Sequence, residues 1–581
     1  MIVRQFLKRI CGPPLVLGII AVALLLPGFW WGAPHATAAD RKGSWGVDDA
    51  SPLGPLADVH NIIQPKPDRR FGYPLMHSFV LSVAYAPYLG YLRLMGKFVT
   101  GSAKYPFGMA DPVRTLRVLT LIAHFVSVLM GVGIVLAAYD AGRTLCDRHT
   151  GILAALFAMI SFPMFYYSRT ANVDVPVLFY TALALAAYAR IIAAGFTTQR
   201  AIWLGVFVGF ALATKEPSFA SFLALPIVLL ALHWRNNKSG AEWFSWRFWQ
   251  APLAALLAAF LAFGVASGLF VDPKWYFAHV GVVRSLVRDM SAGRIEFMAY
   301  YPYTWQGNLQ LARVIGGYLI DAMTLPGLLL AVLGILWTLR REALTAAFAL
   351  PAFTYLMVLF GSARNAQLRY VMPVAFTLVF FSARAVTLAW GSRRSFIRAS
   401  FAVLAFGIIT LGLLRGVDLT YAMINDSRYG AAAWLESRTK SGDRLAFFGD
   451  GANLPALKYG VTTECTVTYR GAAFRSRIDQ EAVQEIETKW REEKPDFILI
   501  SPDLSSPPNV PYNASCPPAV YEGLLDGSLG YRLAAYLETP KLFPWVRRPA
   551  LDYPSVNPPI RIFARATQSG DLAKVHTEVT Q

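Results

Sequence analysis

The chain carries little charge for its length. Only 15% of its 581 residues are Asp, Glu, Lys or Arg, while 55% are hydrophobic and the mean hydropathy is +0.41. Soluble domains average about 25% charged residues. Apolar runs of about 20 residues, long enough to cross a bilayer as a helix, recur along the sequence. This composition excludes a soluble globular protein and predicts a polytopic, mainly α-helical protein embedded in a lipid bilayer.

Cysteine is also scarce. The four cysteines, Cys11, Cys146, Cys465 and Cys516, show none of the spacings that are typical of zinc or iron–sulfur sites. The chain also lacks a basic module with interleaved aromatic residues, although its formal net charge is +18. We therefore expect no nucleic-acid partner. The excess of Lys and Arg is better explained by cytoplasmic span ends and lipid headgroups.

The apolar runs predict about eleven spans. They lie near 15–33, 116–139, 151–167, 176–193, 200–214, 217–233, 251–271, 316–338, 343–361, 370–388 and 400–415. A further apolar stretch, Tyr73–Met95, contains Pro74, Pro87 and several tyrosines, which favours a helix lying along the membrane interface. The first run is either an uncleaved span or a signal peptide. We favour the span because the run is long and many others follow.

Basic residues are distributed unevenly between the two sets of turns. The N-terminus and alternate turns hold fourteen, namely Arg4, Lys8, Arg9, Arg143, Arg148, Arg200, Arg235, Lys238, Arg247, Arg340, Arg341, Arg393, Arg394 and Arg398. The short opposite turns hold four, namely Arg169, Lys215, Arg364 and Arg369. Because Lys and Arg are retained in the cytoplasm, this asymmetry predicts a cytoplasmic N-terminus and an extracytoplasmic C-terminal part.

Three regions follow from this distribution. Residues 1–417 form the predicted membrane domain, with long outer loops at 40–113 and 272–310. From 418 to 567 the composition becomes that of a soluble domain, in which short β-type runs alternate with a charged amphipathic helix. This alternation predicts a small α/β domain. We expect residues 568–581 to be a disordered tail.

Charged residues recur on the predicted outer turns. The first outer loop carries the acidic pair Asp48-Asp49, and later turns carry Asp174, Lys215 and Arg369. A carboxylate can accept a proton from an attacking hydroxyl, and cations or a bound metal ion can neutralise a leaving phosphate. This combination predicts group transfer from an anionic lipid. The alternative is structural, since acidic residues in outer loops are usually solvated and arginines there commonly anchor lipid headgroups.

Two ionisable residues lie where solvation is harder to explain. The turn that holds Lys215 is too short to leave the membrane boundary, so this lysine is a candidate for a functional role. Asp321 lies inside a predicted span, where we expect a hydrogen bond between helices.

Several segments resemble one family. They are WGVDDASPLG, YPLMHSFVLS, YYSRTANVDVPVLFY, ALATKEP, QLRYVMPVAF and NDSRYGAAAWLESRTKSGDRLAFFG. In their order and topological side, they resemble the GT-C-fold membrane glycosyltransferases, specifically the bacterial relatives of protein O-mannosyltransferases and of the aminoarabinose transferase of lipid A. The resemblance covers about residues 1–450. It implies a GT-C fold in a bacterial inner membrane, with a polyprenyl-phosphate-linked sugar as the donor.

The resemblance also implies roles for the acidic residues. The family's first-loop pair, usually Asp-Glu, contains the catalytic base. Here the pair reads Asp48-Asp49, so both residues are candidates, and we favour Asp48 because it matches the Asp of that pair. Asp174 matches a second acidic position, associated in relatives with metal binding or active-site electrostatics. A divalent cation (Mg²⁺, Mn²⁺ or Zn²⁺) held by Asp174 and Asp48 is therefore the expected cofactor, if the protein uses one.

Three basic residues are candidates for binding the lipid phosphate: Lys215, Arg369 and Arg169. Lys215 matches the lysine of the family's Thr-Lys turn, and Arg369 matches the Arg of its Arg-Tyr motif. The Thr-Lys turn ordinarily continues with Gly, whereas Glu216 follows here, so the local geometry is expected to differ.

The resulting hypothesis is a membrane glycosyltransferase. It would move a sugar from a polyprenyl-phosphate donor to an acceptor hydroxyl on the periplasmic face, by one displacement with inversion. A lipid or glycoconjugate transporter is the alternative, although transporters usually place functional charges near the bilayer midplane in paired broken helices. An inactive membrane scaffold that presents the outer domain is a third class. The sequence identifies neither the sugar nor the acceptor.

Overall fold

The computed structural model describes residues 12–35, 41–64, 73–102, 104–236, 245–292, 299–440, 442–449, 451–457, 466–469, 480–503, 506, 510–513, 515–551 and 555–566. The predicted tail at 568–581 lies outside the described residues. The described part is mainly helical, with a small sheet near the C-terminus, which confirms the predicted fold class.

The first helices carry the chain from the N-terminal segment through the first outer loop into the bundle. They are α1 (Pro13–Leu25), α2 (Gly54–Ile63), α3 (Met76–Leu94), α4 (Pro112–Leu145), α5 (Arg148–Met159), α6 (Phe162–Tyr167), α7 (Asp174–Ala194) and α8 (Thr198–Leu212). Side-chain carboxylates cap the N-termini of two of these helices, α4 and α5. Asp111 accepts the backbone N–H of Arg114 at 3.0 Å, and Asp147 accepts that of Thr150 at 2.9 Å. Such caps satisfy N–H groups that the first turn leaves without a helical partner.

A 3-10 turn, Glu216–Ser221, leads into the second half of the bundle. The helices that follow are α9 (Leu225–Asn236), α10 (Trp246–Ala266), α11 (Pro273–Ser291), α12 (Trp305–Met323), α13 (Leu325–Arg341), α14 (Ala343–Ala346), α15 (Leu350–Val358), α16 (Met372–Trp390) and α17 (Ser395–Ile424). A π-helical turn, Leu359–Ala363, and a 3-10 turn, Leu368–Val371, join α15 to α16.

Small residues let neighbouring helices approach closely. On α8, a Cβ added at Gly205 would lie 2.2 Å from the carbonyl oxygen of Ala255 on α10, and one at Gly209 would lie 2.6 Å from that of Ala259. Van der Waals packing replaces the hydrophobic effect as a driving force between helices in lipid. These glycines therefore determine how tightly α8 and α10 pack.

Seven of the described helical segments are long and apolar enough to cross a membrane, or eight if one bent pair counts as a single span. The membrane class is therefore confirmed, whereas the count of about eleven stays a prediction. Helix α3, which covers the stretch predicted to lie along the interface, is not among these candidates. Helices α1 and α8 are apolar but shorter than a full span.

The span predicted near 316–338 is broken in the structure. Helices α12 and α13 meet at a bend of 101°. Thr324 stands at the break with a φ of 68°, and its hydroxyl accepts the backbone N–H of Gly327 at 3.3 Å. Pro326, in the first turn of α13, has no N–H to continue the ladder of α12. Apolar composition predicted the length of the segment but not this local break.

Beyond α17, the chain forms the predicted α/β domain. Its helices are α18 (Ser427–Arg438), α19 (Gln480–Glu493) and α20 (Pro518–Leu525), and its strands are β1 (Leu445–Phe448), β2 (Thr466–Tyr469), β3 (Phe497–Ile500), β4 (Tyr531–Leu537) and β5 (Ile560–Arg565). The strand order is β2-β1-β3-β5-β4. β1 is parallel to β2 and β3, whereas β5 is antiparallel to β3 and β4.

The two ends of the helix bundle differ in what they carry. At one end, Arg384 of α16 forms ion pairs with Glu342 and with Asp147, the latter at 3.6 Å. At the other end, where α16 begins, lie the first outer loop and the α/β domain. Trp31 there donates its indole N–H to Asp426 at 2.9 Å. The acidic pair of the first loop and the C-terminal domain therefore share one face of the bundle.

Candidate active site

Four charged side chains from separate turns meet at this face. Arg369 Nη1 lies 2.5 Å from Asp48 Oδ2 and 3.7 Å from Asp174 Oδ2. Lys215 Nζ donates to Asp174 Oδ1 at 2.6 Å. Asp174, Lys215 and Arg369 are buried, whereas the Asp48 side chain is 42% exposed. The cluster thus has two carboxylates and two cations, with only Asp48 open to incoming molecules.

Asp174 and Lys215 are held at helix ends. Asp174 is the first residue of α7, and its backbone N–H donates to Asn172 Oδ1 at 2.6 Å. The amide of Asn172 in turn donates to the carbonyl oxygen of Val47 at 3.0 Å. Lys215 follows the end of α8 in an extended conformation, with its N–H bonded to the carbonyl of Ala211 at 3.1 Å. One asparagine therefore links the α7 turn to the loop that carries Asp48.

Arg369 lies on the 3-10 turn before α16. Its Nε donates to Gln367 Oε1 at 2.7 Å, and its guanidinium lies 5.5 Å from the ring centroid of Tyr370. Since Arg369 also contacts Asp48 and Asp174, its side chain is held from three sides. This leaves its planar donor group fixed at the centre of the cluster.

Aromatic rings surround Lys215. Its ammonium lies 5.5 Å from the ring centroid of Tyr73 and 5.3 Å from that of Tyr370. Burial raises the pKa of Tyr73 to about 12, so its phenol stays neutral. Aromatic faces attract a cation without neutralising it. Lys215 therefore keeps a positive charge close to the cluster in a largely desolvated environment.

The two first-loop carboxylates occupy different environments. Asp48 has a φ of 54°, a left-handed conformation, and its side chain projects beside Arg369. Asp49 is only 3% exposed, and it accepts the hydroxyl of Ser44 at 2.5 Å. A Cβ added at Gly46 would lie 2.4 Å from the Asp49 carboxylate, so a larger residue there would have to displace that side chain. Asp49 is thus packed inside the loop, and Asp48 is presented at its surface.

His124 of α4 is a contact that sequence reasoning missed. Its Nε2 lies 3.3 Å from Asp49 Oδ2, and its Nδ1 lies 2.6 Å from the carbonyl oxygen of Phe29. The side chain is completely buried. A histidine inside an otherwise apolar span was the available signal.

The C-terminal domain also reaches the first outer loop, which the sequence did not reveal. The hydroxyl of Tyr166 accepts the backbone N–H of Val47 at 3.3 Å and lies 3.0 Å from Ser555 Oγ. The guanidinium of Arg428 lies 3.8 Å from the ring centroid of Trp45. These contacts involve Trp45 and Val47, which come just before Asp48. The domain and the loop therefore pack against each other.

Arg169 is placed away from the cluster. Its guanidinium is completely buried and donates to the backbone carbonyls of Pro27 and Leu24, each at 2.6 Å, and of Phe165. These acceptors use the fork of donors that would bind a phosphate. The sequence-based assignment of Arg169 to the phosphate site is therefore corrected, because its donors join α1 to α6.

The predicted metal site is not supported by the arrangement of its ligands. Among the described residues, no group of three or more His, Cys, Asp or Glu side chains could hold a metal ion. The guanidinium of Arg369 already lies between Asp48 and Asp174. A cation there would have to displace it, so the residues present do not fit the expected ion.

Glu216, which departs from the family pattern, is paired with a residue from the second outer loop. Its carboxylate contacts His279 Nε2 on α11. His279 is almost fully buried, and Trp275 stacks on it with ring centroids 6.0 Å apart. Glu216 thus connects α11 to the turn that carries Lys215.

Asp58 and His60, which follow the acidic pair, lie on α2 outside the cluster. Ser78 of α3 donates to Asp58 Oδ2 at 2.9 Å, and burial raises the pKa of Asp58 from 3.8 to about 6. The protonated carboxyl therefore favours the folded loop at low pH, and this stabilisation is lost as the pH rises from about 4 through about 6.

Replacement of Asp58 by Asn should therefore stabilise the protein most at high pH. We expect the thermal unfolding midpoint of Asp58→Asn in detergent to exceed that of the parent at pH 8, with the difference shrinking toward pH 5. Ser78→Ala removes a hydrogen bond that lowers this pKa, so it should move the parent's transition to higher pH. A pH-independent difference would contradict the assignment.

The chain is a polytopic membrane protein similar to the GT-C glycosyltransferases. Residues 118–263 match the family model described as dolichyl-phosphate-mannose-protein mannosyltransferase. The match spans less than half of the chain, and it confirms the resemblance inferred from the sequence motifs. A search of curated proteins finds no match.

Solved structures show similarity in fold. The oligosaccharyltransferase of Archaeoglobus fulgidus, with Zn and sulfate, is 12% identical at a TM-score of 0.44 and covers 84% of this chain and 67% of its own. ArnT from Cupriavidus metallidurans, bound to undecaprenyl phosphate, is 12% identical at a TM-score of 0.43, covering 96% and 98%. AftD from Mycobacteria is 14% identical at a TM-score of 0.36, covering 94% of this chain and 41% of its own. Identities this low say nothing about the chemistry.

Proposed function

We propose that this protein is a membrane glycosyltransferase that uses a polyprenyl-phosphate-linked sugar. The observation that carries the proposal is the cluster itself. One exposed carboxylate, Asp48, stands beside two buried cations, Arg369 and Lys215. A sugar transferred from a lipid phosphate needs a base for the acceptor and positive charge for the departing phosphate.

The reaction we propose is a single displacement at the anomeric carbon. The acceptor hydroxyl oxygen forms the new bond to that carbon, and the bond from the carbon to the phosphate oxygen breaks. The phosphate keeps the electron pair, and the hydroxyl proton goes to the Asp48 carboxylate. One displacement inverts the anomeric configuration.

The other members of the cluster support this step. Arg369 and Lys215 offer N–H donors to the lipid phosphate as its charge develops. Asp174 holds both cations in place, with Lys215 at 2.6 Å and Arg369 at 3.7 Å. Asp49, bonded to Ser44 and His124, fixes the loop that presents Asp48. We assign no step to a metal ion, because Arg369 occupies its expected position.

Two of the similar structures are described with a lipid phosphate of the proposed donor class. ArnT from Cupriavidus metallidurans is described with undecaprenyl phosphate, and the Archaeoglobus fulgidus oligosaccharyltransferase AglB with a dolichol-phosphate and an inhibitory peptide. We propose the same lipid class here, without choosing the sugar or the acceptor. The cell location that accompanies this proposal is a bacterial inner membrane, with the site at the periplasmic face.

Incubation of the purified protein with a polyprenyl-phosphate sugar and candidate acceptors tests the function. Release of free polyprenyl phosphate that depends on the acceptor supports transfer. Movement of intact lipid across a vesicle bilayer without release supports the transporter alternative. If neither release nor movement is observed, the result supports the inactive-scaffold class.

The proposed orientation can be tested by fusion. A fluorescent reporter that folds only in the cytoplasm should stay dark when fused after Gln581, because the bias of basic residues places the C-terminal domain outside. The matched control is the same reporter fused after Arg341, at the end of α13, which should be bright. A bright signal at Gln581 would move the candidate site to the cytoplasmic face.

A further inference from the structure

The loop Lys541–Arg548, between β4 and β5, exposes apolar and basic side chains together. Trp545 is 78% exposed, Leu542 is 39% exposed, and the Arg547 side chain is 80% exposed. Lys541 is exposed as well. We call this loop the tryptophan loop. Two large apolar side chains, Leu542 and Trp545, are thus exposed between two exposed basic ones, Lys541 and Arg547.

The tryptophan loop is bonded to helix α17. The backbone N–H groups of Leu542 and Phe543 donate to Asp418 Oδ1 of α17 at 2.8 and 3.3 Å. Arg548 Nη1 lies 3.3 Å from Asp418 Oδ2. These bonds attach the loop to α17 at a residue six positions before the end of that helix.

The position of Asp418 along α17 indicates a depth. Arg398 lies near the start of α17, one turn beyond the basic residues that precede the helix. From Arg398 to Asp418 the helix rises about 30 Å at about 1.5 Å per residue, which equals the thickness of a bilayer's hydrocarbon core. Between them, Val403 and Phe406 are each 70% exposed, as lipid-facing residues are. Asp418 therefore lies at the opposite boundary of the hydrocarbon.

A second helix spans most of the same distance. Helix α13 ends at Arg340 and Arg341 and begins next to Thr324, so it rises about 24 Å between its basic end and the bend. Beyond the 101° bend, α12 runs across the bundle rather than along it. Its Asp321 lies 3.9 Å from Arg547 Nη2 of the tryptophan loop. Asp321, expected to bond between helices, faces this loop and also interacts electrostatically with Arg415 of α17.

From these observations we propose that the tryptophan loop is a membrane-contact element. It inserts Trp545 into the headgroup region of the leaflet on the side of the α/β domain, and it sets Lys541 and Arg547 against lipid phosphates. Tryptophan favours this interface because its ring is apolar and its N–H is polar. Basic side chains are attracted to an anionic lipid surface. The proposal does not depend on the glycosyltransfer reaction.

Fluorescence in lipid nanodiscs tests the contact. Trp545→Cys carries an environment-sensitive label, and labelling of the parent chain gives the background from its own cysteines. The control is Leu525→Cys on α20, which is 53% exposed and lies in sequence beside Tyr531, at the end of β4 remote from the loop. We expect a blue-shifted emission at 545 and its loss in phospholipid brominated near the headgroup. Position 525 should show neither change.

A second labelled position and a charge test complete the design. Leu542→Cys should behave as position 545 does, because only its backbone bonds Asp418. Quenching at 545 should increase when phosphatidylglycerol replaces phosphatidylcholine, and Lys541→Gln with Arg547→Gln should abolish that increase. Arg491→Gln, a change on α19 at a side chain 84% exposed, should leave it intact. Equal emission at 545 and 525, or no effect of the double variant, would overturn the proposal.

Discussion

Replacement of Asp48 by Asn should lower turnover at least about a hundredfold and leave the fold unchanged. Asn keeps the size of the side chain and can still accept a hydrogen bond from Arg369, but it cannot take the acceptor's proton. The side chain is 42% exposed and stands at the loop surface, so the substitution disturbs little packing. Turnover would be measured as the release of polyprenyl phosphate in the presence of acceptor.

Asp49→Asn is the matched control for this prediction. Asp49 is buried against Ser44 and His124, so its replacement should lower the thermal unfolding midpoint as well as the activity. Asp48→Asn should lower activity alone. If both single variants and the double variant keep near-normal turnover, the first loop is not the catalytic centre. The proposed reaction would then have no assigned general base.

Removal of the Lys215 charge should have the largest effect on stability, because it leaves the buried Asp174 with the more distant Arg369, at 3.7 Å, as its cation. Both side chains are at most 10% exposed, and breaking a buried pair on one side typically costs about 3–5 kcal/mol. We expect Lys215→Ala to lower the free energy of unfolding by about this amount. Lys215→Ala combined with Asp174→Asn should recover much of the loss, since no unpaired charge remains.

The double variant separates stability from chemistry. If Lys215 contacts the donor phosphate, the stabilised double variant should still show a raised KM for the donor or a lowered kcat. Arg190→Ala is the control. It breaks an ion pair with Asp140 at 2.8 Å whose arginine is 53% exposed, which should cost at most about 1 kcal/mol. Full recovery of donor kinetics in the double variant would reduce Lys215 to a structural role.

The sequence by itself determined the class of the protein. The length and the apolar character of a segment are visible in consecutive residues. They therefore predicted the membrane helices and the change to a small α/β domain after α17. The order of charged outer turns also picked out Asp48, Asp174, Lys215 and Arg369 as candidates. The structure brings these four together, while their chemical roles remain predictions.

Only the tertiary structure decided which carboxylate of the Asp48-Asp49 pair is exposed to solvent and which basic residue lies outside the charged cluster. The contact between Asp48 and Arg369 joins residues 321 positions apart, and no periodicity specifies such a pair. Arg169, like Arg369, lies on a predicted outer turn. Its guanidinium nevertheless donates to three backbone carbonyls, because α1 ends next to it. The sequence likewise did not predict the bend at Thr324 or the contact of Ser555 with Tyr166. Local pattern encodes helices and their lengths, whereas partners across the bundle depend on how those helices pack.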